Sequence, residues 1–391
     1  MRRSAWIRIG CAAGAAAALA ALGLAGAAGA AANVHARAAA SGRGTIYVTH
    51  VNGPPEPTYP VLNTVTPVKG GAALSDITVG DYPTAIAATP NGKTVYVTNS
   101  GAETAGHTVT PITTATNKAG RRIKVGKRPG AVAVTPNGKT AYVANEASGT
   151  VTPIRVATNK PGKAIKVGTS PDLLAITPNS KKVYVVNGAS NTVTPIVTAT
   201  NKARRAIPVA ADPQAIAITP NGKTVYVVSS TTVTPISTAT DKARAPITVP
   251  QGAVAIAITP DGRTAYVASH KSQVVTPINT ATNTAGPAIS DPQYPSALAI
   301  TPNGKTLYVV NPGILTYYDS TVIPVSTATN TLGTPITVGY AAGPIAITRN
   351  GKDAYVVNFF SGTVSEIDTA TNSVSATIDV GGDPWAIAIA P

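Results

Sequence analysis

Cysteine is almost absent: Cys11 is the only one in 391 residues. It sits in an N-terminal leader, so the chain beyond the leader has no thiol and no disulfide, and packing and sheet pairing must supply its stability. Helical patterning is missing too. No segment after residue 40 combines a 3.6-residue apolar period with capping signals, which excludes helical architectures. Histidines number four. His35 lies in the leader, while His50, His107 and His270 fall on loops far apart in sequence, so no metal site is expected. Carboxylates are few, 16 in all, and several precede proline, as in Asp212-Pro213, Asp291-Pro292 and Asp383-Pro384, where they read as turn residues. No calcium loop, nucleophile elbow or phosphate loop occurs. The chain therefore offers no catalytic signature, and no cofactor is expected.

The first 40 residues differ from all that follows. Arg2, Arg3 and Arg8 precede an Ala/Gly/Leu run from Cys11 to Ala32, and small residues then offer cleavage sites after Ala32 or Ala38. This is the pattern of a secretory signal. A retained membrane anchor competes on length, but Ala and Gly are only weakly apolar, so a secreted or cell-surface protein is expected. Without those three arginines, 28 basic residues face 16 acidic ones, a balance of +12. That charge points to anionic partners or to solubility alone.

Residues 41–391 are built on one recurring stretch. It runs Thr89-Pro90-Asn91-Gly92-Lys93-Thr94-Val95-Tyr96-Val97-Thr98-Asn99, and six more copies begin at Thr135, Thr177, Thr219, Thr259, Thr301 and Thr348. The chemistry is that of a β-hairpin. Pro90 presets φ, Asn91-Gly92 is expected to supply the residues at positive φ, and Val95, Tyr96 and Val97 prefer extended backbone. Tyr47, Tyr96, Tyr142, Tyr184, Tyr226, Tyr266, Tyr308 and Tyr355 recur at intervals of 40 to 49 residues, the period of propeller blades. Each unit holds four short extended runs. Proline in the second and third runs of the unit places them towards the blade edge, where a missing N–H is tolerated. The alternating Ala/Ile run has the taper of an inner strand.

Tyr96-Val97-Thr98-Asn99 is the signature of the YVTN β-propeller repeat family, and Tyr142-Val143-Ala144-Asn145, Tyr184-Val185-Val186-Asn187 and Tyr355-Val356-Val357-Asn358 follow it closely. The likeness covers about Thr45 to Pro391. It implies an all-β propeller of four-stranded antiparallel blades. Family members resemble secreted or surface-layer proteins, and the family is also similar to propellers that bind nucleic acid or hydrolyse sugar lactones, so it does not determine function. If the Ala/Ile runs are innermost, seven units are complete. Three strands from Ile46 to Val79 then lack an inner partner, and one inner strand, Trp385 to Ala390, lacks a blade. Joining them gives eight blades and a closed ring; family propellers are often seven-bladed.

Two surfaces follow from the alternation of loops. On the side of the Pro-Asn-Gly turns, Lys118, Arg121, Arg122, Lys124, Lys160, Lys163, Lys166, Lys202, Arg204, Arg205, Lys242 and Arg244 form a basic arc over consecutive units. An anionic cell-envelope polymer or lipid headgroups would suit it. Nucleic acid suits it less, because no aromatics interleave the arc. On the other side, loops longer than the repeat needs bring Tyr59, Tyr82, Tyr317, Tyr318, Tyr340, Phe359, Phe360 and Trp385 into one sector of the rim, as a platform for glycan or protein or as a plug for the closing seam. Asp81 and Asp172 face the central funnel, where a lactonase-like hydrolase would need clustered carboxylates. The expected protein is a monomeric binding or scaffold module.

Overall fold

Valine, tyrosine, threonine and isoleucine at alternate positions favour pleated backbone, and each repeat folds accordingly into a small antiparallel sheet. The computed structural model describes residues 44–51, 63–101, 106–291, 293–313 and 320–391; the leader, Tyr59, Tyr317 and Tyr318 lie outside these. Eight sheets make eight blades, numbered here from the one containing Tyr47. In blade 4 the strands run outward as Pro171–Ile176, Lys182–Asn187, Thr192–Val197 and a fourth strand in two halves, Lys202–Ala203 and Ile207–Pro208. Innermost strands of neighbouring blades adjoin all the way round the ring.

Blade 1 closes the circle. The C-terminal strand Pro384–Ala390 is its innermost strand and pairs with Thr45–His50, placing Tyr47 opposite Ala388 and Thr49 opposite Ala386. The fit is tight: a Cβ on Gly92, whose φ is +68°, would collide with the Pro391 carbonyl oxygen.

The core consists of eight layers between blades rather than one centre. Between blades 5 and 6, for instance, Tyr226, Val228 and Ile247 meet Ile256, Val267 and Ile278. The closing strand serves two layers, because Trp385, Ala386 and Ala388 pack towards blade 2 while Ile387 packs towards blade 8.

Two expectations need correction. In the inner turn only glycine takes positive φ, as at Gly92, Gly138 and Gly222, with Ser180 standing in at blade 4; Asn91 does not. The Asn91 carboxamide oxygen instead accepts the Lys93 N–H at 3.1 Å, and Thr89 Oγ1 accepts the Thr94 N–H at 3.0 Å. Side-chain acceptors thus hold the turn while glycine absorbs the left-handed step.

The second correction concerns the repeat proline. Pro208, in the third run, stands in the outermost strand as expected, but the second-run proline lies one strand further in and is paired on both sides. Pro111 accepts the Gly120 N–H at 2.7 Å but has no N–H to return, and the outer strand breaks there into Lys118–Ala119 and Ile123–Lys124. Blade 8 is the internal control. Glu366 takes the proline's place, and the outer strand Ser373–Asp379 is unbroken, making six residue pairs with one register shift between Glu366 and Ile367.

Candidate functional site

The repeat signature serves the fold. Each repeat tyrosine is buried in its own blade, and those from Tyr47 to Tyr308 reach into the next. Tyr47 donates to Asn117 at 2.7 Å, Tyr96 to Asn159 at 2.6 Å, Tyr142 to Asn201 at 2.6 Å and Tyr226 to Asn283 at 2.6 Å. Tyr184, Tyr266 and Tyr308 do the same with Asp241, Asn330 and Asn372. Those acceptors stand at positive φ in the turn before the outer strand, a conformation asparagine and aspartate tolerate. Burial pushes the Tyr96 and Tyr226 phenols up to about 12, so they remain donors at neutral pH. Sequence reading missed these acceptors. Tyr226→Phe is expected to lower stability by about 1 kcal/mol, and a double-mutant cycle with Asn283→Ala should give coupling of at least ~0.5 kcal/mol; strict additivity in urea melts would refute the latch.

The signature asparagine works within its blade. Asn99 Oδ1 accepts the Gly80 N–H at 3.0 Å, and Asn99 Nδ2 donates to Thr108 and Thr110 at 3.0 Å each. His50 occupies this position in blade 1, buried, with Nε2 2.7 Å from Thr66 Oγ1, and burial lowers its pKa. His270 stacks at a tilt against Tyr294 in blade 6, 5.1 Å between centroids. The histidines are not brought together, and among the described residues no group of three or more His, Cys, Asp or Glu could hold a metal ion.

The basic residues lie on the outermost strands and their breaks, along the outer wall of the ring. The cause is the strand order: the fourth strand of a propeller blade is its circumference. Lys118, Arg121, Arg122, Lys163, Lys202, Arg204, Arg205 and Arg244 are all exposed. In blades 2 to 5 the second half of an outer strand lies against the first half of the next, so Lys124 neighbours Lys160–Pro161 and Lys166 neighbours Lys202–Ala203. The band is therefore continuous across blades 2 to 5. Two members also have structural bonds: Arg122 donates to the Val79 carbonyl at 2.7 Å, and Arg204 pairs with Asp241 at 3.5 Å.

The aromatic residues divide. Trp385 is 5% exposed and belongs, with half-buried Tyr82 and Phe359, to the layer that closes the ring. Phe359 meets Trp385 edge to face, centroids 5.9 Å apart. Tyr340 and Phe360 are each 60% exposed. Asp81 accepts from Asn63 at 3.0 Å. Asp172 is mostly buried, its Oδ1 has no hydrogen-bond partner, and burial, aided by Glu146 and Asp212, raises its pKa to about 7.

No family profile and no curated protein is significantly similar to this sequence. Solved structures are similar in fold. Kuenenia stuttgartiensis hydrazine synthase matches at 24% identity and TM-score 0.58, over 74% of this chain and 96% of that one. The dihydro-heme d1 dehydrogenase NirN matches at 14% identity and TM-score 0.73, over 90% and 76%. A functionally unknown protein from Desulfotomaculum acetoxidans DSM 771 matches at 20% identity and TM-score 0.55, over 72% and 95%. At such identities the likeness concerns the propeller fold alone.

Proposed function

We propose that the protein is a YVTN-type propeller exported to the cell envelope, where it acts as a binding or scaffold module. Its outer wall holds an anionic envelope polymer. One observation carries the reading: twelve basic residues occupy the outer strands and their breaks in four consecutive blades, with no acidic residue among them, Asp241 lying in the turn just before one of these strands. The outer strands of blades 6 to 8 and of blade 1 carry no basic residue. A solvated surface needs mixed charge, whereas a one-signed stripe lowers the free energy of a polyanion along it. The Tyr96 to Asn99 signature and the leader's signal pattern support the family and the destination.

The test uses chains of poly(glycerol phosphate). The protein should bind them at low salt and release them as salt rises, because contacts expel counterions. Reversing Arg121, Lys163, Arg205 and Arg244 to Glu should weaken binding at least about tenfold, while exposed positions leave melting nearly unchanged. Arg122 and Arg204 are kept because they hold Val79 and Asp241. Binding that ignores salt, or survives the reversal, would overturn the proposal.

A further inference from the structure

Blade 8 places aromatic rings where blades 3 and 4 place small or polar groups. The loop after the second strand reads Asn145-Glu146-Ala147-Ser148-Gly149 in blade 3, Asn187-Gly188-Ala189-Ser190-Asn191 in blade 4 and Asn358-Phe359-Phe360-Ser361-Gly362 in blade 8. Its serine does one job in all three. Ser148 accepts the Lys127 N–H at 2.7 Å, Ser190 the Thr169 N–H at 3.2 Å and Ser361 the Tyr340 N–H at 2.7 Å. The loop thus folds without Tyr340, Phe359 or Phe360. Phe359 has a packing role against Trp385. Phe360 has none beyond one edge contact, lying across Phe359 at 5.1 Å and 74°. Leaving two large rings 60% exposed forgoes apolar burial that Ala147, Ala189 and Thr169 never put at stake.

We infer that Tyr340 and Phe360 form a stacking platform for a neutral oligosaccharide, with Phe359 and Trp385 as its rigid support. Three observations select this ligand class. Residues 338–343 and 358–364 contain no charged side chain, so a polyanion gains nothing here. The one other exposed large apolar side chain among the described residues, Leu74, lies in the outer-strand break of blade 1, so the two rings do not belong to an apolar patch of protein-interface size. The adjoining Ser361-Gly362-Thr363 is uncharged and its hydroxyls already bond Tyr340 N–H and Asn358 within the loop, so recognition falls to the ring faces, which suit the C–H face of a pyranose. The platform is on blade 8, outside the basic band of blades 2 to 5, and does not depend on it.

Calorimetry on the full chain with cellohexaose, chitohexaose and mannohexaose tests this. At least one should bind saturably, with affinity unchanged by 0.5 M salt and by the charge reversal above. Tyr340→Ala with Phe360→Ala should weaken that binding about tenfold or more without lowering the melting temperature, since both stacking faces are lost and neither ring is buried. The inference fails if none of the three sugars binds, if salt removes the binding, or if the double variant binds like the parent.

Discussion

Deleting Pro384–Pro391 is expected to abolish cooperative folding of the whole ring, not merely of blade 1. The segment is an innermost strand, and its removal opens two inter-blade layers at once: Trp385, Ala386 and Ala388 leave the layer with blade 2, and Ile387 leaves the layer with blade 8. It also strips Thr45–His50 of a six-residue partner. Burial of one tryptophan and one isoleucine alone stabilises by roughly 3–6 kcal/mol, against a total margin of about 5–15 kcal/mol for a typical protein. Differential scanning calorimetry should show no sharp transition, or one lowered by more than about 10 °C. An unchanged transition would contradict closure through this strand. Gly92→Ala is a milder probe of the same contact, because the added methyl meets the Pro391 carbonyl.

The second large effect concerns pH. Asp172 is held up to about 7 by burial, with the carboxylates of Glu146 and Asp212 adding to it, while backbone N–H groups at residues 172 and 173 pull the other way. Its unfolded value is about 3.9. Between these values the folded chain holds a proton that the unfolded chain has released, so this residue's contribution to stability falls as pH rises from about 4 to 7 and then levels off. Asp172→Asn removes the effect. The variant should match the parent near pH 4 and exceed it at pH 8 by on the order of 3–4 kcal/mol. His50 and His270 work with the opposite slope. Burial lowers both, so they cost stability as pH falls below about 6.5, in parent and variant alike. The difference between the two melting curves therefore isolates Asp172. A variant less stable than the parent at pH 8 would show that the carboxylate is ionised and stabilising in the fold.

The fold was legible because its information is periodic. Tyr47 to Tyr355 set the blade length, and the unpartnered Ala/Ile run at Trp385 to Ala390 announced closure, giving eight blades. The latch was legible in principle. Asn117, Asn159, Asn201, Asp241, Asn283, Asn330 and Asn372 recur with the tyrosine period one blade ahead, 57 to 70 residues from their partners. Read singly, each is an ordinary turn residue, so only the offset between two periodic series exposes the pair. The aromatic set was harder. Composition gathers Tyr82, Tyr340, Phe359, Phe360 and Trp385 into one sector, but whether a ring points inwards depends on backbone direction at single loop positions, which no period encodes.

The broken outer strands bear on how such rings coexist at high concentration. A propeller ends every blade in an outward edge, and an unbroken edge is a template on which a strand from another molecule can grow. Here Pro67, Pro111, Pro153, Pro195, Pro235, Pro277 and Pro324 each shorten the neighbouring edge to pieces of two residues, too short to seed an intermolecular sheet. The protection is written one strand inside the strand it protects. A substitution at one of these prolines would therefore show first as aggregation, with the blade itself still folded.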